Sequence, residues 1–143
     1  MNNVADMLKA KPSRMVSVKP EDSVLDAIKV MASENIGAAI VMSGDRLVGI
    51  FSERDYARKV VLKGRSSEKT KVEEIMTANV VCVSPRAKSR DCMALMSEKN
   101  IRHLPVVDDG RVIGMVSIRD IVTDIIADQD FTISQLESYI SGQ

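Results

Sequence analysis

Apolar and polar positions alternate along this chain with two different periods, and the change from one to the other predicts its elements. Val24, Ala27, Ile28 and Met31 fall at i, i+3, i+4 and i+7, one face of a helix. Ala39-Ile40-Val41-Met42 then reads as a short apolar strand, Ser43-Gly44-Asp45 as a turn, and Leu47 to Phe51 as a second strand. A further helix opens at Ser52. The same succession returns downstream. Leu104 to Val107 and Val112 to Val116 are strands joined by Asp108-Asp109-Gly110, and a helix opens at Ser117. Asp-Gly suits a tight hairpin because Gly accepts positive φ without steric cost. The polar stretch Lys63 to Lys71 offers no apolar face and predicts a linker.

The recurrence is a true internal repeat. Pro20 aligns with Pro85, an offset of 65, and that register runs without a gap to Asp55 over Asp120. Identities along it include Val18/Val83, Asp26/Asp91, Met31/Met96, Asn35/Asn100, Val41/Val106, Gly49/Gly114, Ser52/Ser117 and Arg54/Arg119. Upstream, Val4 to Leu8 echoes Val72 to Met76 at an offset of 68, so the first copy carries three extra residues near Lys11-Pro12-Ser13. The chain divides into a first repeat (1–65), a linker (66–71), a second repeat (72–127) and a C-terminal extension (128–143). In that extension Thr132-Ile133-Ser134-Gln135 fits a capping box, Phe131 and Leu136 a hydrophobic staple, and Gly142 a C-terminal stop. A short separate helix is expected there, with Ile133, Leu136, Tyr139 and Ile140 on one face. That face packs either on the parent domain or on a second subunit.

Composition narrows the function. The 143 residues balance 20 Lys and Arg against 20 Asp and Glu, so no net field draws the molecule to nucleic acid or anionic lipid. The four aromatics, Phe51, Tyr56, Phe131 and Tyr139, are scattered, which offers no stacking platform for nucleic acid. No apolar run approaches the roughly 20 residues of a membrane-spanning helix, and the first residues lack the pattern of a secretory signal. A soluble, cytoplasmic protein is expected. Cys82 and Cys92 have no partner motif, and His103 is the single histidine, so zinc is not expected.

The repeat unit resembles the cystathionine-β-synthase (CBS) domain over roughly residues 4–126. The resemblance is carried by Asp6-Met7-Leu8 and Glu74-Ile75-Met76, by Asn35-Ile36 and Asn100-Ile101, and by Leu104-Pro105-Val106-Val107. It is strongest in Gly49-Ile50-Phe51-Ser52-Glu53-Arg54-Asp55 and Gly114-Met115-Val116-Ser117-Ile118-Arg119-Asp120, which look like the family's Gly-apolar-x-Ser/Thr-x-x-Asp motif. What it implies is an α+β fold of two β-α-β-β-α repeats about a pseudo-two-fold axis (a Bateman module), followed here by a short C-terminal helix. It also implies clefts between the repeats that take adenosine-containing ligands: AMP, ADP, ATP or NAD, with S-adenosylmethionine ranked behind. The motif Asp residues, Asp55 and Asp120, would meet ribose hydroxyls, and Ser52 and Ser117 would help to hold phosphate. Residues before the strands, Ile36, Gly37 and Ala38 in one copy and Arg102 and His103 in the other, would contribute contacts, as would Pro105 within the Leu104 to Val107 strand. Basic residues there often reach phosphates in the family, as in the regulatory γ subunit of AMP-activated kinase. Arg102 and His103 match that pattern, whereas Gly37 and Ala38 depart from it.

The residue chemistry is compatible with this and with a plainer alternative. A carboxylate can accept two charge-assisted hydrogen bonds from a ribose diol, and a Ser at a helix start lies beside free N–H groups that favour phosphate. Gly49 and Gly114 would let a base or a neighbouring backbone approach the strand. Yet Ser52-x-x-Asp55 and Ser117-x-x-Asp120 also fit helix capping boxes, and capping alone would account for both. Arg54 and Arg119 could turn toward phosphate or stay solvated, and Ser17, Lys19 and Ser84 are secondary candidates. Nothing in the chain forms a nucleophile elbow, an acid–base pair, a P-loop or a dinucleotide fingerprint, so a non-enzymatic module is expected. Two readings remain: a homodimeric nucleotide sensor acting on an unknown regulated protein, and a ligand-free dimerisation or adaptor module.

Overall fold

A computed structural model describes residues 3–11 and 15–141. The elements in chain order are α1 (Val4–Ala10), β1 (Ser17–Val18), α2 (Val24–Glu34), β2 (Ala38–Ser43), β3 (Arg46–Ser52), α3 (Glu53–Asp55, running on as a π-helical turn, Tyr56–Val61), α4 (Val72–Ile75), α5 (Ser89–Lys99), β4 (His103–Asp108), β5 (Arg111–Ser117) and α6 (Ile118–Ile140). They form two compact units: residues 15–81, and residues 3–11 together with 82–141.

In the unit of residues 15–81, β1 pairs parallel to β2 and β2 antiparallel to β3. Ser23 starts α2 by accepting a hydrogen bond from the Asp26 amide at 3.1 Å, the usual capping role of a short hydroxyl. Asn35 ends it in the left-handed conformation, φ 55°, which Asn adopts more readily than other side chains. The helix buries Val24, Ala27 and Met31, as its spacing predicts, against Val41, Phe51 and Val60. The polar stretch read as a linker has a structural role as well. Carbonyls of Ser67 and Thr70 accept the amides of Leu25 and Val24, first-turn donors that no residue within α2 can satisfy.

The unit holding residues 82–141 repeats this register. Helices α2 and α5, strands β2 and β4, and strands β3 and β5 begin and end at positions 65 apart, and each hairpin is irregular at the same place, Val41/Met42 and Val106/Val107. The hairpin turns differ. Only Gly44 has positive φ in the first, whereas Asp109 and Gly110 both do in the second, the requirement of a type I′ turn. Strand β1 has no full counterpart, since only the single bridge Val83↔Val106 stands in its place.

The opening helices are exchanged between repeats. Helix α4, from the second repeat, packs on β3, and α1, from the first, packs on β5. The motif glycines make room for them. A Cβ on Gly49 would lie 2.5 Å from Met76 Sδ, and one on Gly114 would lie 3.0 Å from Leu8 Cδ2. The close approaches seen at these glycines are made by Met76, at the end of α4, and by Leu8 of α1.

The expected short helix at Thr132 is overturned. Helix α6 runs unbroken for 23 residues, and the Thr132 hydroxyl donates back to the Asp128 carbonyl at 3.0 Å, a mid-helix bond with no capping role. Phe131 and Leu136 are exposed, so the staple is not made, and the Gly142 stop lies outside the described residues, as do Pro12 and Ser13. Tyr139 and Ile140 are 85% and 82% exposed, so this face does not pack on its own unit.

Candidate functional site

Each Ser-x-x-Asp motif sits where a strand hands over to a helix, and the handover fixes its geometry. Ser52 is extended (φ −122°, ψ 163°) and caps α3: its hydroxyl accepts from the Asp55 amide, while the Asp55 carboxylate accepts from the Ser52 amide, each at 3.1 Å. Ser117 and Asp120 make the same reciprocal pair at the start of α6, at 2.8 and 3.3 Å. The capping reading is thus realised in both copies. The strand before each motif is tied to the same point. Glu53 N–H donates to the Gly37 carbonyl at 3.0 Å and Ile118 N–H to the Arg102 carbonyl at 2.8 Å, while Ala38 pairs with Ser52 and His103 with Ser117.

Each unit therefore gathers its own set of candidates. Ile36, Gly37 and Ala38 lie beside Ser52, Arg54 and Asp55, and Arg102 and His103 lie beside Ser117, Arg119 and Asp120. Arg54, Arg102 and Arg119 are exposed, and the Pro105 side chain is fully buried. Ile36 and Gly37 also line a cavity of about 450 Å³ with Asn35, Glu53 and Tyr56. Ser17 and Lys19 are exposed on or beside β1, and Ser84 is half-buried and accepts from the Arg86 amide.

Two lysines that the motifs do not announce complete the picture. Lys59 Nζ lies 3.0 Å from Asp55 Oδ1 and donates to the Ile75 carbonyl. The second repeat has Asp124 at the corresponding place, 65 positions on, so its helix supplies no lysine. Lys11 fills the role from the end of α1, with Nζ 2.9 Å from Asp120 Oδ2 and 2.7 Å from the Met115 carbonyl. Comparing position 59 with 124 reveals the loss, but the compensation comes from 109 residues away, beyond any local pattern. Asp124 turns inward and accepts from the buried Ser89 hydroxyl.

These contacts set the charges. Burial pushes the Asp120 carboxyl up, but the Ser117 amide, the Lys11 ammonium and the Ser117 hydroxyl outweigh it and hold the group below its ordinary value. Burial pushes the His103 imidazole below its ordinary value; Asp120 opposes this, and Lys11 and Arg102 reinforce it. The imidazole is thus neutral near pH 7, and the basic side chains of this cluster are Lys11, Arg102 and Arg119. Among the described residues no cluster of three or more His, Cys, Asp or Glu could hold a metal, both cysteines are free, and no helix is long and apolar enough to cross a membrane.

The CBS domain family model matches twice, over residues 4–62 and 72–127. The chain belongs to the CBS domain family. Among solved structures it is similar to a putative signal-transduction protein with CBS domains from Burkholderia ambifaria, with 54% identity and a TM-score of 0.86 over 90% of this chain and 96% of that one. It is 42% identical to the CBS domain-containing protein CBSX3, mitochondrial, of Arabidopsis thaliana across 85% of this chain, and it spans 62% of that relative's length. That relative is mitochondrial by name, so kinship does not carry the cytoplasmic expectation.

Two more distant structures hold adenosine-containing ligands. The CBS domain pair of protein MJ0100 is in complex with 5′-methylthioadenosine and S-adenosyl-L-methionine, at 27% identity and a TM-score of 0.77 over 90% of this chain and 98% of that one. A CBS domain protein from Pyrobaculum aerophilum is complexed with AMP; at 23% identity, TM-score 0.74, over 82% of this chain and 88% of that one, it shares the fold. CBS pairs of this kind are regulatory modules.

Proposed function

We propose that this CBS pair binds an adenosine-containing nucleotide through its Ser-x-x-Asp elements and acts, as a homodimer and without catalysis, on a regulated protein partner. The observation that carries the reading is the cluster at the head of α6. An ionised carboxylate (Asp120), a helix N-terminus, and the cations Lys11 and Arg102 belong to one local structure. A ribose diol needs the first, and phosphate favours the others. The adenosine compounds named for two relatives support the ligand class. AMP, ADP, ATP or NAD fits the cationic cluster better than the uncharged methylthioadenosine. The first repeat offers Asp55 and Lys59 but only Gly37 and Ala38 before its strand, so the second repeat is the stronger phosphate element.

A ligand-free adaptor is the second reading, and one observation favours it: both carboxylates already hold a helix cap and a lysine. Calorimetry of ligand-stripped protein against AMP, ADP, ATP, NAD and S-adenosylmethionine separates the two. Binding that weakens with Asp120→Ala and with Arg102→Ala supports the sensor. No heat and no thermal shift with any of them at millimolar concentration overturns the sensor reading.

A further inference from the structure

Helix α6 carries an exposed apolar seam along its length. Val122, Ile126, Ile133, Leu136 and Ile140 are all exposed, and with Gln129 they follow one another at steps of four, three, four, three and four residues. That is the a/d spacing of a heptad, with Ile126, Ile133 and Ile140 at a and Val122, Gln129 and Leu136 at d. The seam is lateral to the face that α6 buries through Ile121 and Asp124, and it extends over about 27 Å at 1.5 Å per residue. A helix presenting this spacing is shaped for another helix of the same kind.

We infer that the seam pairs in parallel and in register with α6 of a second copy of this chain. Two features select that occupant. The first is Gln129, the one polar residue in the seam. In a parallel, in-register pair it meets its own copy, and the two amides can satisfy each other as donor and acceptor. In an antiparallel pair it would face Ile133 and lose its partners on burial. The second is charge. The flanking e positions hold Thr123, Asp130 and Glu137, and the g positions hold Ile125, Thr132 and Tyr139. Parallel pairing sets e against g, so Glu137 meets Thr132 and Asp130 meets Ile125. Antiparallel pairing sets e against e, carboxylate against carboxylate, which is repulsive. The seam deepens the homodimer reading by naming its surface, and it does not depend on which ligand the motifs take.

The test is oxidative cross-linking of Gln129→Cys in a Cys82→Ser background, together with sedimentation velocity of the full chain over a concentration series. A dimer that cross-links through position 129, and not through Ser138→Cys on the outer face, is expected. Ile133→Asp combined with Leu136→Asp, both exposed in the single chain, should leave a folded monomer with its cooperative thermal transition. A wild-type chain that is monomeric at every concentration overturns the proposal, as does equal cross-linking at 129 and 138. A dimer that survives the Asp pair overturns the seam while leaving the homodimer standing.

Discussion

Lys11 and Asp120, 109 residues apart, meet at 2.9 Å, and through that contact a helix of the first repeat completes the carboxylate motif of the second. The same ammonium is bonded to the Met115 carbonyl, which anchors it to β5. Its mobility is therefore limited, and a ligand reaching Asp120 must accept Lys11 as a neighbour. Lys11→Ala should lower affinity for ATP more than for adenosine, since the phosphates lose a cation while the ribose gains a freer carboxylate. Titration calorimetry with both ligands checks this, and an equal loss for the two would assign Lys11 a structural role alone.

Asp120 ties stability to pH. Its carboxyl is held below the ordinary value in the folded chain, so its contribution is present above the unfolded value of about 4 and is lost as pH falls through the lower folded value. Asp120→Asn should cost about 0.2–1 kcal/mol at neutral pH, since the Ser117 cap remains but the charge facing the half-exposed Lys11 ammonium is lost. Wild type and variant should converge in acid. Urea unfolding at a series of pH values reads the difference directly.

His103 acts in the neighbouring window with the same sign. Because burial depresses its folded value, the unfolded chain binds the proton more readily, and stability falls as pH drops below about 6.5. His103→Gln should flatten the stability profile between neutral and mildly acidic pH. An unchanged slope there would show that another group is responsible.

The buried pair Ser89–Asp124 replaces Val24 and Lys59 of the first repeat. Ser89→Val should destabilise by roughly 1–3 kcal/mol, because it strips a buried carboxylate of its donor. Ser89→Val with Asp124→Leu should recover most of that loss, which chemical denaturation of the single and double variants would show.

Gly49→Ala should be the harsher of the two motif-glycine substitutions. Its Cβ meets Met76 Sδ and Cγ and the Thr77 carbonyl at 2.5–3.0 Å, whereas the nearest atoms to that of Gly114 are the Leu8 methyl groups at 3.0 and 3.2 Å and the Leu8 Cγ at 3.7 Å, all on one side chain. A loss of about 1–3 kcal/mol is expected at Gly49, the usual range for overpacking, and a smaller one at Gly114. Equal losses would mean that the backbone at Thr77 yields as easily as a leucine side chain.

Short-range chemistry explains what could be read without the fold. Helix α2 was legible because Val24, Ala27 and Met31 recur at the helical period, and the hairpins because apolar runs flank Gly and Asp turns. The capping pairs Ser52–Asp55 and Ser117–Asp120 were legible because both partners lie three residues apart. The tail misled for the same reason. Thr132-x-x-Gln135 has the pattern of a helix start, but residues before it already continue α6, and a cap signal inside a growing helix has no orphan amides to satisfy.

By itself the sequence determined the repeat, its offset of 65, the two motifs and the family, since each of these is a matter of local spacing or of one copy matching the other. Only the tertiary structure decided which helix covers which glycine and which lysine reaches each carboxylate. Asp55 takes its lysine from one turn further along its own helix, where the periodicity of a helix sets the distance. Asp120 takes Lys11 from the far end of the chain, where side-chain packing of α1 on β5 sets it. Packing of that kind depends on the shape of two assembled surfaces, and no spacing along the chain encodes it.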